Sequence, residues 1–220
     1  MLTLFTIAEY GRTISKEVNL VETRIYSALM DEFRKEERSR WGAQIDETNG
    51  TISFSGKIIQ FKHGSDEISE DFKEALLEFF PRYVETLRNF KGQIQEIDVE
   101  GHTNSKSSEG GEKGYNDNMQ LSQRRAYNVL KYSRQTVSSR FGVRNATYFN
   151  KIDELWTKKV LRAVGYSYSK PICKNGKTIC GKENENFIAS RRVQFRIRID
   201  NAVLIEQIRD LKNEALRTGY

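Results

Sequence analysis

Towards the end of the chain, Val193, Phe195, Ile197 and Ile199 alternate strictly with Gln194, Arg196, Arg198 and Asp200. A period of two sends the apolar side chains to one face and the polar ones to the other. The segment is therefore a strand of a sheet with one dry face and one wet face. A dry sheet face has to be covered, and the rest of the chain supplies amphipathic helices to do it.

Ile14, Val18, Val21, Ile25 and Leu29 recur at helical spacing and predict a helix over about residues 14–40, ending in a charged run before Trp41-Gly42. Ile52-Ser53-Phe54-Ser55 follows the turn signal Asn49-Gly50 and reads as a strand, with Ile58, Ile59 and Phe61 as an extended continuation. After Gly64-Ser65-Asp66, the residues Ile68, Phe72, Ala75, Leu76, Phe79, Tyr83, Val84 and Leu87 mark one face of a second helix, in which Pro81 predicts a kink. Its aromatic stripe is core packing.

Residues 94–100 form a second strand, and a polar loop over 104–117 leads to a helix bearing Leu121, Ala126, Val129, Leu130 and Val137. A short helix within 146–158, a third strand over 160–166 and a closing helix over 202–217 complete the order. The expectation is an α/β two-layer sandwich. A mixed sheet of about four strands carries helices on one face, with the last two strands able to pair as a hairpin. Residues 1–45 form an N-terminal stalk helix and residues 46–220 the globular domain.

At 220 residues, with 37% hydrophobic and 30% charged residues, the chain suits one polar domain with a helical extension. Only 2 prolines argue against long linkers. A net charge of +6 favours an anionic partner such as nucleic acid, a membrane face or an acidic polymer, or is simply a solvated Lys/Arg excess. Cys173 and Cys180 flank an Asn-Gly turn, and a disulfide between them would place the chain in an oxidising compartment; the alternative is two free thiols. With His63 and His102 the only histidines, and far from the cysteines, neither a metal nor another cofactor is expected. No segment reaches the length of a membrane span, and the apolar opening lacks the marks of a signal peptide. A periplasmic location therefore calls for a membrane helix ahead of Met1.

The candidate site lies around Gly101-His102-Thr103-Asn104 and Asn118-Met119-Gln120-Leu121-Ser122-Gln123-Arg124-Arg125-Ala126. A strand end, a polar loop, a helix N-terminus opening at Asn118 and an arginine on one rim would hold a carboxylate. The layout resembles the peptidoglycan-binding signature of the OmpA-like family, Gly-His-Thr-Asp followed by Asn-x-x-Leu-Ser-x-x-Arg-Ala. Val164-Gly165-Tyr166-Ser167 with Pro171 and Ser190-Arg191-Arg192-Val193 resemble two further elements of that family. The segment Trp41 to Asp46 and the Phe61-x-x-Gly64-Ser65 element resemble MotB-type stator proteins; Phe79-Phe80-Pro81-Arg82-Tyr83 resembles the ZorB-like branch of Zorya anti-phage defence.

The resemblance implies a non-enzymatic domain at the periplasmic face of the inner membrane. It would bind the diaminopimelate of the peptidoglycan stem peptide and work as a homodimer beside a membrane motor subunit. It implies Thr103, Asn104, Asn118, Leu121, Arg125 and Arg192 as binding residues, with Arg125 gripping the carboxylate. Asn104 stands where the family has Asp, and Asp117 is a substitute charge. A general envelope anchor is the alternative. A hydrolase built on His102 with Ser105 or Ser122 lacks a companion for the histidine. A nucleic-acid binder using the Arg196/Arg198 face lacks a motif.

Overall fold

The computed structural model describes residues 2–200 apart from 47, 49, 57, 60, 63, 107–110, 145–150 and 178, and a few residues between 202 and 209. His63 and most of the expected closing helix over 202–217 lie outside the described residues. The elements are α1 (Leu2–Glu32), α2 (Lys35–Arg40), β1 (Ala43–Ile45), β2 (Ile52–Phe54), α3 (Glu70–Arg88), β3 (Ile94–His102), α4 (Gly111–Arg144), α5 (Lys151–Val160), β4 (Leu161–Gly165), α6 (Phe187–Ser190) and β5 (Arg192–Ile199).

The sheet is mixed and has five strands in the order β1-β2-β5-β3-β4. The strand beyond the expected four is β1, three residues paired antiparallel to β2; so short a segment shows no alternation in sequence. The last two strands are not a hairpin: β3 lies between them, parallel to β4 and antiparallel to β5. Ile58 and Ile59 sit in a turn rather than a strand, after Gly56 at φ 85°.

The core lies between the sheet and the helices. Phe54, Phe195, Ile97 and Val99 of the sheet meet Phe72, Leu76, Phe79, Phe80 and Tyr83 of α3, with Phe79 at 4.9 Å from Phe54 and 5.2 Å from Phe195, ring to ring. Ser69 caps α3, accepting from the Phe72 amide. Helix α3 runs on through Pro81, which is buried together with Phe79, Phe80 and Tyr83. The last turns of α1 join this core through Val21, Ile25 and Leu29. Arg82 of α3 fastens them there, bonding Glu32, Glu37 at 2.8 Å and the Glu32 carbonyl. Among the described residues, no helix is long and apolar enough to cross a membrane.

The opposite face of the sheet is a charged ladder. On β3 it presents Glu96, Asp98, Glu100 and His102; on β5 the facing residues are Arg198, Arg196, Gln194 and Arg192. Arg196 Nε donates to Glu100 at 2.8 Å and Arg198 Nε to Asp98 at 2.6 Å. Asp98 and Glu100 are both buried, so the wet face predicted from alternation is wet only at its rim.

Candidate functional site

Helix α4 crosses β3 and β4 at very close range, and two glycines allow it. A Cβ on Gly101 would lie 2.2 Å from the Ser122 carbonyl oxygen, and one on Gly165 would lie 2.7 Å from the Gln123 amide nitrogen. The buried Ser122 hydroxyl donates to the Met119 carbonyl and accepts from the Ser167 amide, both at 2.9 Å. Ser167 holds a left-handed φ of 51°, unfavourable for a residue with a side chain. Its carbonyl accepts from the Thr103 amide and its hydroxyl donates to the Tyr115 carbonyl. The end of β3, the turn after β4 and the middle of α4 thus form one hydrogen-bonded unit.

Beside this unit opens a cleft of about 370 Å³. Helix α4 contributes Asp117, Asn118, Leu121 and Arg125, and the three- and four-residue steps from 118 to 125 place them on one face. Thr103, Asn104 and Lys106 enter from the end of β3, Gly64 from the loop before α3, and Phe187, Ile188 and Arg191 from α6 and the residue after it.

Arg125 is only 4% exposed. Its Nε donates to the Ser65 carbonyl at 2.9 Å and its guanidinium lies 4.5 Å from the Phe61 ring centroid. Among the described residues its two terminal nitrogens meet no acceptor. Burial and the nearby Arg191 lower its pKa to about 10, so it remains a cation at neutral pH. Thr103 Oγ is likewise buried without a partner among the described residues.

The other expected residues divide. Asn104 shapes the rim: Nδ2 donates to the Phe187 carbonyl at 2.7 Å and Oδ1 accepts from the Lys106 amide at 3.3 Å. Asn118 does not cap α4, because the helix already starts at Gly111; its Nδ2 donates back to the Gly114 carbonyl. The helix N-terminus is correspondingly about 20 Å of helix away from Arg125 and takes no part in the cleft. Arg192 does not line the cleft. Its Nη1 donates to the Lys170 and Ser190 carbonyls, and burial lowers its pKa to about 10. Its neighbour Arg191 faces the cleft instead.

Cys173 and Cys180 form a disulfide with Cα atoms 5.9 Å apart. Among the described residues no hairpin carries it: Cys173 makes an antiparallel bridge with Glu185. The buried Glu185 carboxylate in turn accepts from the amide and hydroxyl of Ser105. The α6 wall of the cleft is thus tied to the disulfide loop on one side and to the β3 loop on the other.

The groups required by the alternative chemistries are engaged elsewhere. His102 stacks on Tyr166 at 5.1 Å, and its Nε2 lies 3.3 Å from Glu100. Burial lowers the His102 pKa to about 4, so the neutral ring donates Nε2–H to the carboxylate. Burial alone would raise Glu100, but the hydrogen bonds from His102 and Arg196 prevail and hold it at about 2. Ser105 is bound to Glu185 and Ser122 to Met119, so neither faces His102 as a nucleophile. Arg196 and Arg198 are paired with Glu100 and Asp98. Among the described residues no group of three or more His, Cys, Asp or Glu side chains gathers as a metal site.

Residues 60–177 match the OmpA family. The chain is 37% identical over 196 residues to the Zorya protein ZorB of Escherichia coli, a match covering 88% of this chain and 74% of that one. Among solved structures it is similar to the periplasmic domain of Helicobacter pylori MotB (TM-score 0.47, 20% identity, 80% of this chain and 91% of that one). It is also similar to the OmpA-like domain of FopA1 from Francisella tularensis (TM-score 0.40, 15% identity, 72% and 81%).

Proposed function

The chain belongs to the OmpA family, and from that premise we propose that it is a non-enzymatic anchor holding the peptidoglycan stem peptide in the α4 cleft. The observation that carries this is the guanidinium of Arg125, buried at the cleft with two terminal nitrogens that no described protein group uses. A cation kept out of water and left unpaired is costly, and a carboxylate entering the cleft would meet a fork suited to two parallel bonds. The diaminopimelate end of the stem peptide offers such a carboxylate. Thr103 Oγ adds a hydrogen bond, Leu121 an apolar contact and Asn118 a polar wall. Asn104 and Arg192 act as positioning residues, through the Phe187 carbonyl and through the Lys170 and Ser190 carbonyls.

The protein works as a homodimer at the periplasmic face of the inner membrane, tethering a motor subunit of an anti-phage defence complex to the cell wall. The disulfide supports an oxidising compartment. The match to ZorB supports a motor partner over a general envelope anchor, because it covers 88% of the chain and so extends beyond the family match at residues 60–177.

Sedimentation with purified sacculi tests the proposal. The wild type should pellet with them. Arg125→Ala should weaken binding on the order of 50-fold, the value of a charge-assisted bidentate pair. Arg125→Lys, which keeps the charge but loses the fork, should fall between the two. Wild type left in the supernatant, or Arg125→Ala retained as well as wild type, refutes the proposal.

A further inference from the structure

The charges facing the cleft do not balance. Lys106, Arg125 and Arg191 line it against a single carboxylate, Asp117, and among the described residues none of the three cations is ion-paired. The acids close by are engaged. Asp66 holds Arg124 at 3.2 Å, Asp117 holds Lys113 at 3.4 Å, and Glu185 holds the Ser105 amide and hydroxyl. Asn104 has spent its Nδ2 and its Oδ1 on the loop itself. Apart from Asp117, the acceptors that line the cleft, such as Thr103 Oγ, are neutral, so an excess of positive charge is left. The wall opposite α4 is apolar: Phe187 and Ile188 line it, and Ile188 is 61% exposed.

Such a cleft suits a carboxylate and repels an ammonium beside it. In a diaminopimelate stem the side-chain end carries both groups, unless the amine has been acylated by a neighbouring stem. Acylation turns the ammonium into a neutral amide, so the end becomes net negative. The added acyl carbon also gives Ile188 something to cover. Resting on the peptidoglycan proposal and naming the form of the polymer, we infer that the cleft selects the cross-linked stem, whose side-chain amine is acylated, over the free-amine stem.

The test is calorimetric titration of the full chain with two synthetic stem tripeptides ending in diaminopimelate, identical except that one carries an acetyl group on the side-chain amine. The acetylated peptide should bind more tightly, by roughly three- to tenfold. Ile188→Ser, at an exposed position that packing does not require, should remove that advantage. Asp117→Asn removes the one carboxylate that lines the cleft, so it should strengthen binding of both peptides. Acetylation that weakens binding, or an Asp117→Asn loss confined to the free-amine peptide, would reveal an ammonium subsite and overturn the inference while leaving the anchor intact. Binding of neither peptide overturns it too, and the sacculus assay then decides separately on the anchor.

Discussion

His102 should make the fold sensitive to mild acid. The ring is 2% exposed, stacked on Tyr166 and bonded to Glu100, and its pKa falls from 6.5 to about 4 on burial. The unfolded chain therefore takes up a proton on this residue near pH 6.5, while the folded chain resists until near pH 4. Between those values the unfolded state holds more protons, so stability rises with pH and is lost as pH falls. At about 1.4 kcal/mol per pKa unit, the full loss is about 3.5 kcal/mol, and about 2.5 kcal/mol of it should have gone by about pH 4.5. Glu100 acts in the same direction but lower, its stabilisation present above 4.5 and lost as pH falls towards about 2, so stopping at about pH 4.5 keeps most of it in place, and a variant that retains Glu100 cancels the remainder.

The variant for comparison is His102→Gln, which keeps a donor for Glu100 and does not titrate. Urea unfolding followed by the fluorescence of Trp41 and Trp156 should be run at about pH 7 and about pH 4.5 for both proteins. Wild type should lose about 2.5 kcal/mol more than the variant across that interval. Equal losses would mean that the imidazole is not held neutral by its surroundings, and the account of the ladder would be wrong.

Two further outcomes follow from packing. Gly101→Ala would bring a methyl to 2.2 Å from the Ser122 carbonyl; it should cost about 3 kcal/mol in urea unfolding and weaken sacculus binding by shifting α4, whereas Gly92→Ala, with no atom within 4 Å of its Cβ, should change neither. Cys173→Ser with Cys180→Ser opens a loop of sequence separation 7; the chain-entropy estimate is a loss of about 2 kcal/mol, read as a lower urea midpoint that matches wild type treated with a dithiol reductant.

How much of this was legible in the sequence depends on the signal each part leaves. The alternation at 193–199 and the stripe on α3 define β5 and the helix over it, because one face of each is buried and the other is not. The start of α4 is different. Residues 111–117 carry only Tyr115 as a large apolar group, so nothing in their pattern separates a solvated helix from a loop. Arg125 was legible through its place in the helix motif. Arg191 and Arg192 were not separable, being adjacent and chemically identical; only the exit from α6 into β5 turns the first towards the cleft and the second towards Lys170 and Ser190. The wall at Phe187 and Ile188 depends on contacts with Asn104 and Ser105 more than 80 residues away, for which no local signal exists.

The cleft and the buried ladder share one strand, and that explains why a binding rim should sit on so much buried charge. Glu100 and His102 end the ladder, and Thr103 and Asn104 begin the rim immediately after them. An apolar strand end could slide in register at little cost, but a buried carboxylate bonded across the sheet to Arg196 cannot, since any shift would leave a charge unpaired out of water. Gly101, between Glu100 and His102, faces the other way and receives α4. Fixing the ladder therefore fixes the height at which α4 crosses the sheet, and with it the distance between Arg125 and the loop at Thr103. On this argument a ladder variant that stays folded, such as Arg196→Met, should affect ligand affinity without touching the ligand.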